Sequence, residues 1–527
     1  MKPLQLAGLA GGAMLAAAMP ANARTACAEM SAAPLDGVTI TSAAEVDATE
    51  AAPAHCEILA QIAPADPEGW PINLRVVLPE DWSGHAVQFG GGGFNGTIPQ
   101  QAGGRWQTPA AAQDFPFKGH ATFSGDSGHS VDDLPHGPDI DVRRASFALN
   151  QEAFERYARR SVNETYGAAM QIIEAHYGTP ADLRYFVGFS QGGKEAMVAA
   201  QDHPEDYDGI LVGDPVANLT GLKIAHLQSS LGFYRNGGAG WVGPELAQLV
   251  TDAVYAQCDP QDGLEDGWIA DFEGCEPDLS SLLCAEGETG DCLTEAQLEA
   301  VMNVARPVEL DFEIANGLTG HAGYPWGNTA WQGSFAGSRP VPSRPGPSQD
   351  GYDSYVYTLG DGYARFFIAQ DPEYDTLGFD PNDPALRDRI VAVSQILDAT
   401  NPDLSGLRDR GGRMILYAGG ASEVPPAEVA AYWTRVNETM GADAVTEFAR
   451  FYIFPSINHG GVGPEGMPNR ADLFSVLETW VTEGTAPGDL VNSNDAGTIT
   501  RPLCQYPAWP QYQGGDESAA ESFACVP

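Results

Sequence analysis

The chain has 527 residues, and 27 Lys and Arg against 71 Asp and Glu give it a formal net charge of −44. This balance argues against nucleic-acid binding and against attachment to anionic lipid, because both depend on clustered basic residues. Hydrophobic residues make up 43% of the chain, with 10 Trp and 21 Phe, which excludes general disorder and predicts a folded protein with more than one domain.

The first residues have the pattern of a secretory signal. Lys2 precedes an apolar stretch from Leu4 to Met19, and Ala21-Asn22-Ala23 then forms an A-x-A cleavage pattern. The apolar stretch is short for a membrane span, and no later stretch is long and apolar enough to be one. We therefore predict a signal peptide over residues 1–23 and a secreted or periplasmic protein, with no membrane partner.

Eight cysteines fit an exported protein, because disulfides persist outside the cytoplasm. Proximity along the chain suggests four local pairs, although eight cysteines allow about 105 connectivities and free buried thiols are the alternative. The suggested pairs are Cys27 with Cys56, Cys258 with Cys275, Cys284 with Cys292, and Cys504 with Cys525. Zinc binding by these cysteines is disfavoured, because no C-x-x-C pair occurs and no histidines cluster near them.

Strand and helix patterns alternate in the first and last parts of the chain. Strands are predicted at residues 73–78, 86–89, 183–189, 210–212, 413–417 and 449–454, and helices at residues 154–177, 191–201 and 428–437. Between them, residues 218–403 show no such alternation and are rich in Gly/Pro loops. We predict an α/β fold with a mainly parallel sheet, whose core (24–217 and 404–527) is interrupted by a large insertion (218–403).

The sequence around Ser190 has the G-x-S-x-G pattern of a nucleophilic serine. Gly188-Phe189-Ser190-Gln191-Gly192 lies between a predicted strand and a predicted helix, as a nucleophile elbow requires. Small residues two positions on either side relieve crowding at such a sharp turn. We predict that Ser190 is the nucleophile; a structural turn is the alternative.

A nucleophilic serine needs a histidine base and an acid that orients the base. His459, on a Gly-rich loop after the strand at 449–454, is the one histidine downstream of the strand at 413–417, and it is predicted to be the base. Glu423 follows the strand at 413–417 and is predicted to be the acid, with Asp443 as the fallback. An exposed loop histidine and a solvated loop glutamate are the alternatives.

The predicted oxyanion hole combines two backbone segments, the start of the helix after Ser190 and an earlier Gly-rich turn. Gln191 begins the helix after the nucleophile, so its amide can face a developing oxyanion. Gly92 and Gly93 lie in the Gly90–Gly93 turn after a strand, where backbone amides can approach a substrate closely. A phosphate cradle is disfavoured, because no GK[ST] follows.

Taken together, these motifs resemble the tannase and feruloyl esterase family over nearly the whole mature chain. The matching stretches are GGGGFNG (90–96), GDSGH (125–129), YFVGFSQGGKEAMVAAQDHPEDYDGILVGDP (185–215), CDPQDGLEDGWI (258–269), CLTEAQ (292–297), RMILYAGG (413–420) and RPLCQYP (501–507) with Cys525. The resemblance implies an α/β-hydrolase core with an inserted lid that selects the substrate. It also implies the four cysteine pairs suggested above.

Two departures from the family pattern lie at the predicted active site. The family has a cystine between the residue before the nucleophile and the residue after the catalytic histidine, whereas this chain has Phe189 and Gly460 there. The sequence therefore predicts a variant without that bridge. The family's acid loop carries a G-x-x-D-P-like sequence, whereas this chain has Ser422-Glu423 in a loop one residue shorter, so the longer Glu423 side chain needs a different backbone position to act as the acid.

A calcium site is predicted in the loop that Cys258 and Cys275 would close. Asp259, Asp262 and Asp266 lie on a Gly-punctuated turn, and Ca²⁺ prefers several oxygen ligands. The spacing is not that of an EF-hand, and a solvated acidic turn is the alternative. The resemblance implies that these aspartates and the carbonyls of Leu264 and Trp268 bind a structural calcium ion.

We predict hydrolysis of a small-molecule carboxylic ester through an acyl-serine intermediate. The resemblance implies aromatic acyl groups such as ferulate, gallate or terephthalate half-esters. Arg365 and Phe366 are predicted to contact the substrate, Arg365 through a substrate carboxylate. The alternatives are an esterase or acyl transferase for other esters, and a calcium-stabilised exported binding protein that has lost catalysis.

Overall fold

A computed structural model describes residues 24–50, 52–99, 118–133, 145–288, 290–341 and 353–527. The predicted signal peptide lies outside these residues. Within them, no helix has both the length and the apolar character that a membrane crossing requires.

A central β-sheet of nine strands organises the described residues. Its strands are β1 (Val38–Val46), β2 (His55–Ile62), β3 (Ile72–Pro79), β4 (His85–Phe89), β5 (Ala121–Gly125), β6 (Leu183–Phe189), β7 (Gly209–Gly213), β10 (Arg413–Gly419) and β11 (Ala449–Phe454). Their order is β1-β2-β3-β5-β4-β6-β7-β10-β11. The pairs from β1 to β5 are antiparallel, and every pair from β5 to β11 is parallel.

Each strand predicted from the sequence is present, and the sheet is mainly parallel as expected. The parallel strands β6, β7 and β10 read as continuous apolar runs because helices cover both of their faces. The sequence analysis missed β1, β2 and β5. Small antiparallel pairs lie outside the sheet: β8 (Val308–Glu309) with β9 (Gly320–His321), β12 (Leu490–Ser493) with β13 (Thr500–Leu503), and β14 (Trp509–Tyr512) with β15 (Phe523–Val526).

Helices of the described residues cover the sheet and build the region between β7 and β10. They are α1 (Gln151–Glu155), α2 (Ser161–Tyr177), α3 (Gln191–Asp202), α4 (Leu219–Gly238), α5 (Pro244–Cys258), α6 (Glu295–Ala305), α7 (Tyr355–Gly362), α8 (Pro384–Leu397), α9 (Ser405–Arg410), α10 (Pro426–Met440), α11 (Ala442–Thr446) and α12 (Leu473–Glu483). Helix α2 ends at Gly178, whose φ of 78° closes the helix in the left-handed conformation that glycine permits.

The region between β7 and β10 has an apolar cluster of its own. Buried side chains from α4 to α8 and from the segments between these helices pack together there, among them Tyr357 of α7 and, outside the helices, Phe335 and Phe367. Phe147 and Phe154, which precede α2, join the same cluster. The insertion at residues 218–403 is thus packed against a segment of the first part of the chain, directly beside the edge of the sheet where β6 and β7 end.

The structure contains the four disulfides that the sequence suggested, and no described cysteine is free. They join Cys27 to Cys56, Cys258 to Cys275, Cys284 to Cys292, and Cys504 to Cys525. The first ties the N-terminal segment to β2, two close loops in the insertion, and the last holds the C-terminal strand. None of them lies between Phe189 and Gly460.

Candidate active site

Ser190 occupies a strained turn between β6 and α3. Its φ of 62° and ψ of −120° lie outside the regions that non-glycine residues usually adopt, as expected where a turn stores strain at a functional site. A Cβ at Gly188 would lie 1.9 Å from the carbonyl oxygen of Gly192, and a Cβ at Gly192 would lie 2.7 Å from that of Gly91. Both glycines are therefore required for the turn, as the motif predicted.

His459 faces this serine from the loop after β11. Its Nε2 lies 2.7 Å from Ser190 Oγ, and both residues are buried. The imidazole stacks on the ring of Phe189, with centroids 5.0 Å apart and planes 26° apart. The predicted nucleophile and the predicted base are thus in hydrogen-bond contact, and the ring of Phe189 packs against one face of the imidazole.

The other ring nitrogen of His459 faces a carboxylate and a hydroxyl. Its Nδ1 lies 3.4 Å from Asp214 Oδ2 and 3.1 Å from Ser422 Oγ. Ser422 Oγ in turn donates to Asp214 Oδ2 at 3.1 Å. With Nδ1 protonated towards this pair, Nε2 is left as the acceptor for the Ser190 proton, which is the tautomer that general-base catalysis requires.

Asp214 follows β7 directly, and the sequence analysis did not select it. Its backbone has a φ of 38°, and its Oδ1 accepts from the amide of Gly419 at 2.8 Å. The carboxylate is 2% exposed. A signal was present in the sequence: an aspartate stands immediately after a buried strand that would lie beside the nucleophile strand. The order of the strands, which puts β7 between β6 and β10, was needed to interpret it.

The structure brings Glu423 to His459, but to the backbone rather than to the far side of the ring. Glu423 Oε2 accepts from the amide of His459 at 3.1 Å, and Oε1 accepts from Ser334 Oγ at 2.5 Å. The neighbouring Ser422, not Glu423, contacts the imidazole Nδ1. Asp443, the fallback acid, lies in the short helix α11 and is exposed.

The predicted oxyanion segments meet beside Ser190. Gly93 and Gln191 line the same recess as the serine, whereas Gly92 accepts from the amide of Asn95 at 2.9 Å within the turn. Glu195 on α3 holds this turn in place, because its Oε2 accepts from the amide of Gly91 at 2.9 Å. Its other oxygen accepts from Asn95 Nδ2 at 2.6 Å. Burial raises the pKa of Glu195.

A recess opens over Ser190 between the ends of the parallel strands and the insertion. It is lined by Gly93, Tyr157, Ser190, Gln191, Val216, Leu219, Leu222, Lys223, His226, Tyr355, Leu359, Glu423, Val424 and His459. Six of these residues come from α4 and α7 of the insertion. Such a mainly apolar cleft with a few polar groups at one end is typical of a small-molecule site.

Residues 56–526 match the family described as tannase and feruloyl esterase. The chain belongs to the tannase and feruloyl esterase family. An uncharacterized esterase from Agrobacterium fabrum is 32% identical in an alignment 540 residues long, gaps included, that covers 97% of this chain and 94% of that protein. The mono(2-hydroxyethyl) terephthalate hydrolase of Piscinibacter sakaiensis is 29% identical in an alignment 546 residues long, gaps included, that covers 92% of this chain and 87% of that protein.

Solved structures agree with this assignment at the level of the fold. The crystal structure of feruloyl esterase B from Aspergillus oryzae matches with a TM-score of 0.78 at 21% identity, covering 95% of this chain and 99% of that chain. Membership of the tannase and feruloyl esterase family, together with the named esterase relatives, confirms the prediction that the chain is a carboxylic ester hydrolase.

The structure does not bring Arg365 and Phe366 to Ser190, the predicted nucleophile. Among the described residues that line the recess, neither is found. Arg365 is buried in an ion pair with Asp361, one helical turn earlier, at 3.1 Å and donates to the carbonyl of Pro372 at 2.6 Å. Phe366 packs in the apolar cluster of the insertion. The guanidinium is engaged within its own segment, which the sequence pattern did not reveal.

The aspartates of the Cys258–Cys275 loop form a compact acidic turn. The amides of Leu264, Gly267 and Trp268 donate to Asp262, Asp259 and Asp266 respectively. Burial, the largest cause, and the neighbouring carboxylates raise the pKa of Asp262 to about 7. Asp259 Oδ1 is buried without a hydrogen-bond partner, and Arg501 donates to Asp266 Oδ2 at 2.9 Å.

This arrangement fits a cation of the kind that the family resemblance implies. Clustered, partly desolvated carboxylates with an unpartnered oxygen gain from a hard cation, and the backbone carbonyls of Leu264 and Trp268 are within the same turn. The three aspartates do not form a group in which one oxygen from each lies within 4.8 Å of the other two. Among the described residues, a different cluster of side chains meets that distance.

Proposed function

We propose that this chain is an exported serine esterase that hydrolyses esters of aromatic acids through an acyl-Ser190 intermediate. The observation that carries the proposal is the 2.7 Å contact between Ser190 Oγ and His459 Nε2 in a recess lined by apolar and aromatic side chains. Relatives named as a terephthalate half-ester hydrolase and as a feruloyl esterase support an aromatic acyl group.

In the proposed acylation step, His459 Nε2 takes the Ser190 proton as Oγ forms a bond to the ester carbonyl carbon. The backbone amides of Gln191 and Gly93 stabilise the oxyanion. When the carbon–oxygen bond to the alcohol breaks, His459 returns the proton to the leaving alkoxide. A water molecule then attacks the acyl carbon with His459 as base, which releases the acid and restores Ser190.

We assign the acid of the triad to Asp214. Its carboxylate and the Ser422 hydroxyl both face His459 Nδ1, so the charge that stabilises the imidazolium lies on the side opposite Ser190. Glu423 then has a positioning role: it holds the backbone of the histidine loop through the His459 amide. This assignment replaces Glu423, which the sequence favoured because it follows β10, with the residue that follows β7.

The insertion is proposed to act as the lid that selects the substrate. Leu219, Leu222 and Leu359 of the insertion supply apolar walls, and the ring of Tyr355 in the insertion, with that of Tyr157 in the core, supplies aromatic contact area for a planar acyl group. The same surface closes over Ser190 and would limit water at the ester. We further propose that the aspartate turn holds a structural Ca²⁺ that takes no part in the chemistry.

We also propose that the protein is exported and that it lacks the cystine that the family has beneath the triad. Four disulfides suit an oxidising compartment, in agreement with the signal-like residues 1–23. The cysteines are all paired elsewhere, so Phe189 and Gly460 are proposed to mark a variant in which packing replaces a bridge beneath the triad.

A panel of esters on the purified protein tests the proposed substrate class. Feruloyl, galloyl, terephthalate half-ester and short aliphatic substrates are compared, with release of the acid measured for the protein and for Ser190→Ala. We expect kcat/KM for at least one aromatic ester to exceed that for the aliphatic ester by about 100-fold or more. A preference for aliphatic esters would support the alternative of a different ester class.

Labelling by a fluorophosphonate tests catalytic competence separately from substrate choice. We expect covalent labelling of the protein and none of Ser190→Ala, because only an activated serine reacts. Absence of labelling in both proteins, with intact folding, would favour the binding-protein alternative.

A further inference from the structure

A cluster of two histidines and a glutamate lies where the parallel strands begin, at the end of the sheet opposite to Ser190. His85 is the first residue of β4, and His120 immediately precedes β5; the two strands are parallel neighbours, paired at Ala86 and Ala121. Glu478 reaches both histidines from α12. His85 pairs with Leu183 at the beginning of β6, whereas Ser190 follows the end of that strand, about 20 Å away.

The ligand-capable atoms of this cluster converge. Glu478 Oε1 lies 3.2 Å from His85 Nδ1 and 3.1 Å from His120 Nε2, and all three atoms lie within 4.8 Å of one another. Ligand atoms about 2.0–2.1 Å from a tetrahedral Zn²⁺ are roughly 3.3 Å apart, close to the two distances found here. Among the described residues, this is the one group of three such side chains that comes so close.

The surroundings of the cluster favour an ion rather than a chance contact. His120 is 2% exposed, and its Nδ1 lies 2.9 Å from Ser83 Oγ, which fixes the ring as partners of metal-binding histidines do. Ser83 Oγ also accepts from the amide of His85. The ring of Tyr185 lies 5.9 Å from that of His85, and its buried hydroxyl has no hydrogen-bond partner among the described residues. Water on a bound ion would offer such a partner.

We propose that His85, His120 and Glu478 form a binding site for a divalent transition-metal ion such as Zn²⁺. Two imidazole nitrogens and one carboxylate oxygen suit zinc, cobalt or nickel, whereas calcium and magnesium prefer all-oxygen sites. His85 and Glu478 are about one-fifth exposed, so an ion has access from solvent and a fourth position is open to water. The ion joins β4, β5 and α12, and its role is structural, separate from the ester chemistry and from the aspartate turn.

Zinc binding to chelator-treated, tag-free protein tests the proposal. Disulfides are kept intact, and calcium is held in excess so that the aspartate turn does not take up zinc. Calorimetric titration should give one equivalent of Zn²⁺ with a Kd of about 1 μM or tighter, and Co²⁺ should give the visible absorption bands of a four-coordinate site. Zinc should also raise the melting temperature.

Variants separate this site from adventitious binding. His85→Gln and Glu478→Gln should each weaken zinc binding by at least about 10-fold, whereas His203→Gln, outside the cluster, and Asp262→Asn, in the aspartate turn, should leave it unchanged. Esterase activity of each zinc-free variant reports folding. Absence of stoichiometric zinc binding by the unmodified protein, or equal affinity in His85→Gln and Glu478→Gln, would show that the cluster is a hydrogen-bonded ion pair and overturn the proposal.

Discussion

Asp214 Oδ2 lies 3.4 Å from His459 Nδ1, and the Ser422 hydroxyl lies 3.1 Å from each of these two atoms. In the proposed triad, the acid side is therefore built from two strand ends: Asp214 after β7 supplies the carboxylate, and Ser422 in the loop after β10 supplies a hydroxyl between carboxylate and ring. Glu423, beside Ser422, turns to the backbone of the histidine loop instead. The roles of these three side chains can be separated by substitution.

Asp214→Asn should lower kcat by about 10³-fold or more, because the amide no longer stabilises the imidazolium and favours the wrong tautomer of His459. Glu423→Gln keeps a side-chain oxygen that can accept from the His459 amide. We therefore expect this variant to lose about 10-fold or less in kcat. Steady-state kinetics on one hydrolysed ester, with melting curves for both variants, checks this. A larger loss of kcat in Glu423→Gln than in Asp214→Asn would instead identify Glu423 as the acid of the triad.

A carboxylate placed at position 422 should partly replace the one at position 214. Ser422 Oγ is already 3.1 Å from His459 Nδ1, so an aspartate there reaches the ring with a small shift. We expect Asp214→Asn/Ser422→Asp to exceed Asp214→Asn in kcat by at least about 10-fold, whereas Asp214→Asn/Ser422→Asn, the matched uncharged control, should show no gain. Equal kcat in the two double variants would argue against electrostatic support at Nδ1.

Comparing the predicted site with the structure shows which parts of the site the sequence can reveal. The turn at Ser190 was predictable because it is local: glycines at fixed offsets between a strand and a helix. His459 was predictable because it is the one histidine in the last part of the chain. The contact between Asp214 and His459 was not, since it depends on which strands are neighbours, and the sequence does not show which of two adjacent residues, Ser422 or Glu423, faces the ring.

The fold and the substrate contacts also include features that the sequence predicted and features that it did not. Apolar runs predicted the parallel strands β6, β7, β10 and β11, because burial on both faces leaves a strong pattern. Strand β1, by contrast, lies at the sheet edge and is largely solvent-accessible, so its pattern is weak. Arg365 was predicted to face substrate from its charge alone; its partner Asp361 lies four residues earlier, and only the packed structure shows that the pair is buried.

Mild reductant should spare esterase activity under conditions that leave the protein folded. The eight cysteines pair away from the triad, and His459 rests on the ring of Phe189 rather than on a cystine. Activity and circular dichroism are followed together after addition of reductant, with Phe189→Ala as a variant that weakens the wall behind the imidazole. Rapid inactivation of the unmodified protein without loss of structure would contradict the role assigned to packing.

Calcium should raise the melting temperature, and Asp262→Asn should abolish that response. Asp262 is 5% exposed, and burial, together with the neighbouring Asp266 and Asp259, raises its pKa, so removing its charge relieves desolvation and repulsion in the metal-free protein. The metal-free variant should therefore melt no lower than the metal-free unmodified protein. Asp278→Asn, an exposed carboxylate just beyond the loop, is the control and should keep the full response. A melting temperature indifferent to chelator and to added calcium would exclude the site.

The buried His129 should make the protein less stable in mild acid. Burial lowers the pKa of His129 from 6.5 to about 3, so between these values the unfolded chain binds a proton that the native protein does not. The free energy of unfolding therefore falls as pH drops below about 6.5, by about 2 kcal/mol from this residue at pH 5. Asp126, whose pKa burial raises to about 6, acts in the opposite direction, because the native protein then binds the extra proton.

A variant isolates the histidine contribution from that of Asp126. His129→Gln retains a donor for the carbonyl of Phe94, which His129 Nε2 contacts at 3.0 Å, but cannot be protonated. Denaturant unfolding at pH 7.5 and at pH 5, with disulfides intact, gives the change in stability for each protein. We expect the unmodified protein to lose about 2 kcal/mol more than His129→Gln over this interval, since the Asp126 contribution is common to both. Equal losses would mean that His129 is solvated or protonated in the native protein.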